Sequence, residues 1–399
     1  MPGSSFSEII LYLLCGLGIL QGILLAGLIY FHKRSDKTVT PYLSLYILST
    51  SAIMMLPMLI QLTGWQKSYI AVSLPLLGGP LLYLYIRSFK ETITWQKAIP
   101  HFLFFFVFLL LAYLNLTTAG RKYPDAVTIP GEVVSRPLTI VLGIIRTVQQ
   151  LLYYFFARKE LRTYQSSIRQ LYSETSRIDL NWARFLLNGF LVLVLAGALA
   201  LPLIMRYPQQ VNIILLAVLC IGTPYIYLAA YKGVTQPTIW QVQPEKTKEI
   251  VEKELSEITE AVSINEKGEL KIPEKPAAEE NKLSVLAEGI MSLIEKEKIF
   301  QEPELTLQQL ATKLNSPAYL VSQTINDELK KSFYDLVNGY RVEEAKRLLL
   351  HPDNSNYTIL SVGFEAGFNS KTTFNTVFKK FTGLTPTEFR NKSKKVVPA

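Results

Sequence analysis

The chain has 399 residues, 49% of them hydrophobic and 18% charged, with 41 Lys and Arg against 32 Asp and Glu for a formal net charge of +9. So apolar a composition excludes a largely disordered polypeptide, and the length exceeds one ordinary domain. Only Cys15 and Cys220 are present, both inside apolar stretches, which argues against a disulfide framework or a zinc site and leaves them as small apolar residues.

Residues 1–232 contain seven apolar stretches long enough to cross a bilayer, at about 9–31, 41–63, 69–89, 98–118, 137–157, 183–205 and 210–231. The expected fold is therefore all-α, with a seven-transmembrane-helix bundle over 1–232. Loops after the first, third and fifth stretches hold eleven cations: Lys33, Arg34, Lys37, Arg87, Lys90, Lys97, Arg158, Lys159, Arg162, Arg169 and Arg177. Loops after the second, fourth and sixth hold five: Lys67, Arg121, Lys122, Arg136 and Arg206. That asymmetry places the N-terminus outside and the end of the seventh stretch in the cytoplasm. No basic segment precedes Ile9, so the first stretch reads as a span and not as a cleaved signal peptide.

The spans offer no paired aspartates and one interior histidine, His101. Lys232 lies beyond the seventh stretch, which argues against a retinal Schiff base, and no acidic residue sits at depth as ion-coupled transport requires. The expectation is no catalysis, no cofactor and no metal. The densest polar cluster is Arg146, Gln149 and Gln150, which share a face at i, i+3 and i+4. It is a possible membrane ligand site for an anionic or carbonyl group; the structural reading ties Arg146 to backbone carbonyls or to Asn188. Pro57, Pro75, Gly78-Gly79-Pro80, Pro202 and Pro224 are expected to kink or hinge their spans.

Residues 233–281 read as a solvated, partly disordered cytoplasmic linker: 241–281 alone holds 11 Glu and 6 Lys with Pro244, Pro273 and Pro276. Ile250, Val251, Leu255 and Ile258 form one amphipathic face, either a short dimerising coiled coil or a transient helix.

From 282 to 399 the pattern is globular and helical, with 16 Lys and Arg against 13 Asp and Glu. Thr306 and Gln309 form a capping-box pair ahead of Leu307, Leu310, Ala311 and Leu314 on one face. Asn315-Ser316-Pro317 turns the chain, with Ser316 expected to cap a second helix running from about Pro317 to Leu329. The pattern recurs about fifty residues on. Ile359, Val362, Gly363 and Ala366 form the small apolar face, and Gly367-Phe368-Asn369-Ser370 forms the turn. A further helix closes near Thr382 before Gly383 and Pro386. The two helix-turn-helix units span about 306–329 and 358–382, joined by a helix from Phe333 to Leu350. Leu310, Leu320, Phe374, Phe378 and Phe389 are expected in the core.

This segment resembles the DNA-binding domain of the AraC family of bacterial transcription regulators. The matching residues are Leu310-Ala311, Ser316-Pro317 with Leu320, Arg341 with Glu344 to Leu349, Gly367-Phe368, Phe374, Phe378-Lys379-Lys380, and Gly383 to Pro386 ending in Phe389-Arg390. Gly363 departs from the alanine usual in the family, at an expected cost of roughly 1 kcal/mol in helix propensity. The resemblance implies that each second helix enters a major groove of double-stranded DNA. Carried over, the base-reading surface falls on Ala318, Val321 and Ser322 with Tyr319 and Gln323 beside them. In the second unit it falls on Lys371, Thr372, Thr373, Asn375 and Thr376. Asn pairs with adenine, Lys reaches guanine and Thr meets a thymine methyl, so the second unit has the richer chemistry for direct readout.

The expected function is a one-component regulator in a bacterial inner membrane, with RNA polymerase and an unknown membrane or small-molecule signal as further partners and a homodimer as a possible state. The alternative is a membrane-anchored DNA-binding module without ligand sensing, controlled by proteolytic release or a partner protein.

Overall fold

The computed structural model describes residues 6–31, 37–54, 64–123, 131–176, 178, 180–235, 277–351, 353 and 356–396. Among them every regular element is helical, and the one β contact is an isolated antiparallel bridge between Tyr172 and Thr306. The chain divides into two compact units. One comprises Met1–Thr163 with Leu180–Lys248, the other Tyr164–Asp179 with Glu249–Ala399.

The first unit is built from α1 (Phe6–Phe31), α2 (Thr40–Ile53), α3 (Tyr69–Ser73), α4 (Pro75–Arg87), α5 (Pro100–Lys122), α6 (Pro137–Leu171), α7 (Asn181–Arg206) and α8 (Val211–Thr235). Five of these, α1, α5, α6, α7 and α8, are long and apolar enough to cross a membrane by length and composition. Their outward faces carry exposed Leu, Ile, Val and Phe, for example Leu103, Phe106, Leu110 and Leu114 at i, i+3, i+7 and i+11 along α5. Such a stripe finds a suitable solvent in lipid chains, not in water. The expected second stretch begins as α2, and its remaining residues 55–63, with the expected kink at Pro57, lie outside the described residues. The third is divided at Leu74 into α3 and α4, because Pro75 lacks the N–H that would continue the ladder.

Inside this unit α1 packs on α2 and α8, α2 on α4, and α7 on α8. Two buried tyrosines pair across helices: Tyr46 Oη lies 2.6 Å from Tyr225 Oη, and Tyr225 donates to the Leu186 carbonyl at 2.9 Å. His101 Nδ1 and Tyr153 Oη are 2.9 Å apart. Pro80 sits inside α4 and frees the Leu76 carbonyl four residues earlier; Gln149 of α6 donates to that carbonyl at 3.2 Å. α6, at 35 residues, is about 50 Å long, well beyond the ~30 Å of a hydrocarbon core. Its last turns belong to the second unit.

The second unit holds α9 (Ala277–Glu295), α10 (Leu307–Lys313), α11 (Ala318–Asp327), α12 (Phe333–Leu350), α13 (Ile359–Glu365), α14 (Lys371–Thr382) and α15 (Pro386–Val396). Two apolar clusters organise it. Ile290, Ile294, Leu307, Leu310, Ala311, Val321 and Ile325 pack with the first half of α12. Ala345, Leu348, Leu349, Val362, Phe368, Phe374 and Phe378 pack around its second half. Of the expected core residues, Leu310, Phe374 and Phe378 are buried and Phe389 packs partly buried on the second cluster, whereas Leu320 is only half-buried. The expected amphipathic helix near Ile250 falls outside the described residues.

Candidate nucleic-acid interface

Both helix pairs are built by the same local devices. Thr306 accepts from Gln309 N at 3.2 Å while Gln309 Oε1 accepts from Thr306 N at 2.8 Å, closing the capping box on α10. In the second pair Thr358 caps α13 through Ser361 N at 3.0 Å. The turn then closes identically: Ser316 N donates to Ala311 O, and Phe368 N donates to Gly363 O, each at 3.0 Å. Both turns need a left-handed residue. Asn315 supplies it at φ 46° and Gly367 at φ 94°, where a Cβ would stand 2.6 Å from the Phe300 carbonyl oxygen.

The second turn is one residue longer. α11 follows Pro317, which takes the N-cap position itself without a side-chain cap, so the expected capping by Ser316 is not what forms. α14 is capped by Ser370, whose Oγ accepts from Thr373 N at 3.1 Å, and is stopped by Gly383 at φ 78°.

The reader helices consequently share one register. Val321, Thr324 and Ile325 of α11 are buried, as are Phe374, Val377 and Phe378 of α14. The outward positions are Tyr319, Ser322, Gln323 and Asn326 in α11, and Thr372, Asn375, Thr376 and Lys379 in α14, each set at i, i+3, i+4 and i+7. Tyr319, Gln323, Lys371, Thr372, Thr376 and Lys379 are exposed, and Ser322, Asn326 and Asn375 are half-buried. Two expected readers are corrected by this geometry. Val321 has no exposed surface and belongs to the first core. Thr373 is buried, its hydroxyl engaged by Ser370 and Glu174, because the third residue after an N-cap turns inward to meet the capping side chain. Ala318 is half-buried against the first cluster and offers little but its methyl group. Asn326 and Lys379 complete the outward faces; the i+7 spacing from Tyr319 and Thr372 was the signal for them.

Between the readers lies a buried polar centre on α12. Arg341 is fully buried. Its Nε donates to Phe300 O at 2.7 Å and its Nη2 to Glu302 O at 2.6 Å. Its guanidinium also lies over the Phe368 ring at 5.8 Å. Burial pushes this guanidinium down to about 10, against the opposing pull of Glu174, so it stays charged at neutral pH. Arg341 thereby ties the 3-10 turn Ile299–Gln301, ahead of α10, to the turn that carries Phe368 in the second helix pair. Sequence reading matched Arg341 to a family pattern without a role; its place at i+3 from Asn338 and i−4 from Ala345, on the inward stripe of α12, marks it as a core cation.

In the first unit, Arg146 is half-buried, and no hydrogen bond or ion pair links it to another described residue. Gln150 is buried, and Gln149 Oε1 is buried without a hydrogen-bond partner although its amide holds the Leu76 carbonyl. The three share one face of α6, while Asn188 is exposed on α7.

Residues 310–392 match the family model described as a helix-turn-helix domain, and the segment is an AraC-type helix-turn-helix domain. Comparison with curated proteins and with solved structures returned no match.

Proposed function

We propose that the chain is a membrane-embedded, one-component transcription regulator whose readers α11 and α14 enter successive major grooves of a promoter. The observation that carries this reading is the shared register: two helices, each second in a helix-turn-helix pair, present the same four outward positions at i, i+3, i+4 and i+7. DNA binding and transcription regulation follow from the domain type. Within that frame Tyr319, Ser322, Gln323, Lys371, Thr372, Asn375 and Thr376 face bases or backbone, and Lys379 faces phosphate. Ala318 stands at the start of α11 as an apolar contact.

In this reading residues 1–232 form a seven-span bundle in a bacterial inner membrane, N-terminus outside, with 233–281 as linker and 282–399 as cytoplasmic reader; the five helices long and apolar enough to cross a membrane support a membrane location. Reporter fusions test this topology. A fusion after Ala399 should report cytoplasm, and a periplasmic signal there contradicts it. RNA polymerase is the natural partner on the promoter, and a homodimer is the proposed assembly.

Sensing is assigned to Arg146 and its neighbours Gln149 and Gln150. An intramembrane cation with no counter-ion among described residues fits an anionic group of a membrane or small-molecule signal. Gln149 has a structural duty at Leu76 that Arg146 lacks, so Arg146 is the residue to change. Arg146→Leu should abolish a transcriptional response while protein level and basal promoter output stay near wild type; an unchanged response favours an anchor without sensing. DNA binding itself is tested by selection from a random duplex pool with the full chain in lipid nanodiscs. Two enriched blocks about one helical turn apart are expected, and a pool without enrichment contradicts the reading.

A further inference from the structure

The second unit contains a segment from far upstream in the chain. Leu171, the last residue of α6, is buried in the first apolar cluster with Leu305, Leu307 and Val337. Tyr172 then bridges to Thr306, the cap of α10. Ser173 has no exposed surface and is held by four hydrogen bonds to three residues: its N and Oγ donate to Leu305 O at 3.3 and 2.6 Å, Asn338 Nδ2 donates to its carbonyl at 2.8 Å, and Arg341 Nη2 donates to its Oγ at 3.3 Å.

Glu174 follows and reaches the reader. Its Oε1 accepts from the Thr373 hydroxyl at 3.3 Å, in the first turn of α14, and from Ser176 N at 2.8 Å. Its Oε2 is buried with no hydrogen-bond partner.

We propose that residues 172–176 are a latch, seated across the DNA-binding domain in competition with the DNA backbone. The proposal rests on the DNA-binding reading. The first turn of a helix in the major groove meets phosphates through its free N–H groups and positive dipole end. Glu174 puts a carboxylate against that turn of α14, and a phosphate brought to the same place meets a like charge. Ser173 and Arg341 supply the grip; Glu174 supplies the exclusion. The docked state also carries a buried carboxylate oxygen without a partner, a standing cost that makes release accessible. Because α6 is one uninterrupted helix from Pro137 to Leu171, the latch is covalently continuous with the face bearing Arg146, and a shift of that helix pulls on Ser173 directly.

The test uses the full chain in lipid nanodiscs and a mixed-sequence duplex of roughly 30 bp, about three helical turns, at low salt. Residues facing each other across an antiparallel bridge stand about 4.5–5.5 Å apart at Cα, within disulfide range, so Tyr172→Cys with Thr306→Cys locks the loop in place. Oxidation should weaken duplex binding by about tenfold or more, and reduction should restore it. Glu174→Ala, which lies outside residues 310–392, should tighten binding about threefold or more. Failure of the cysteine pair to oxidise, equal binding by oxidised and reduced forms, or unchanged or weaker binding by Glu174→Ala overturns the latch. A chain that binds no duplex in any form fails at the DNA-binding reading and takes the latch with it.

Discussion

The two helix-turn-helix pairs present the same outward register on differently packed cores, and the difference shows how one geometry is reached from two residue sets. In the first pair Ala311 packs with Val321. In the second, Gly363 stands where Ala311 stands and Phe374 where Val321 does; a Cβ added at Gly363 would lie 2.6 Å from Phe374 Cδ1 and 2.9 Å from Cγ. Volume removed from one helix is returned by the other, which keeps packing density without moving the backbone. The glycine in α13 is therefore not only a cost in helix propensity but also the space for an aromatic core residue of α14.

Breaking the joint between the pairs should have the largest effect. Arg341→Ala leaves the Phe300 carbonyl buried without a donor, leaves the Glu302 carbonyl with only the Leu305 N–H at 3.3 Å, and opens a void under Phe368. It should destabilise the second unit by about 3–5 kcal/mol. Hydrogen exchange on the full chain in nanodiscs checks this: protection should fall across both helix pairs together, and loss in one pair alone would contradict the joint.

The glycine exchange sharpens the comparison directly. Gly363→Ala gains about 1 kcal/mol of helix propensity but overpacks Phe374, for a net destabilisation of about 1–2 kcal/mol. Phe374→Leu in the same chain should recover part of it, a coupling that a double-mutant cycle reads out. Gly363→Ala that stabilises the domain would show that Phe374 moves freely. The caps come next: Thr306→Ala and Thr358→Ala should each cost about 1 kcal/mol, with exchange confined to α10 or α13.

Acid separates the pairs more gently. Asp335 of α12 is bound by Lys380 of α14 at 2.7 Å, and although burial raises its pKa, the hydrogen bonds from Lys380 and Ser332 hold it below the ordinary 3.8. Glu344 is held below 4.5 first by its hydrogen bond from Arg347, with Lys298 adding to it. Groups with depressed values contribute stability above their unfolded pKa and lose it as pH falls through the folded one. The second unit should therefore hold its unfolding midpoint from pH 7 to about 5 and lose stability below about 4.5. Asp335→Asn should flatten part of that loss, and stability rising on acidification would contradict these pairings.

Much of the second unit was legible because its signals are local. Thr306 with Gln309, Ser370, Gly367 and Gly383 each act within four residues of themselves. The inward turn of Val321 and Thr373 was misread because it depends on where each reader helix starts, and the two turns differ by one residue. The docking of Ser173 on Asn338 and Arg341 joins residues 165 and 168 positions apart, beyond any periodicity. In the apolar half, hydropathy located the helices, whereas the division at Leu74 depends on Pro75, and the duty of Gln149 depends on the Leu76 carbonyl that Pro80 frees for a side chain on another helix.

The most direct test of the shared register is base preference read on the full chain with one reader altered at a time. Gln323→Ala should relax preference in one block of the selected site and Asn375→Ala in the other, about one helical turn away, each with a loss of roughly 1–3 kcal/mol at its own position. Both substitutions relaxing the same base pairs, or neither altering preference, would contradict two readers set in one register.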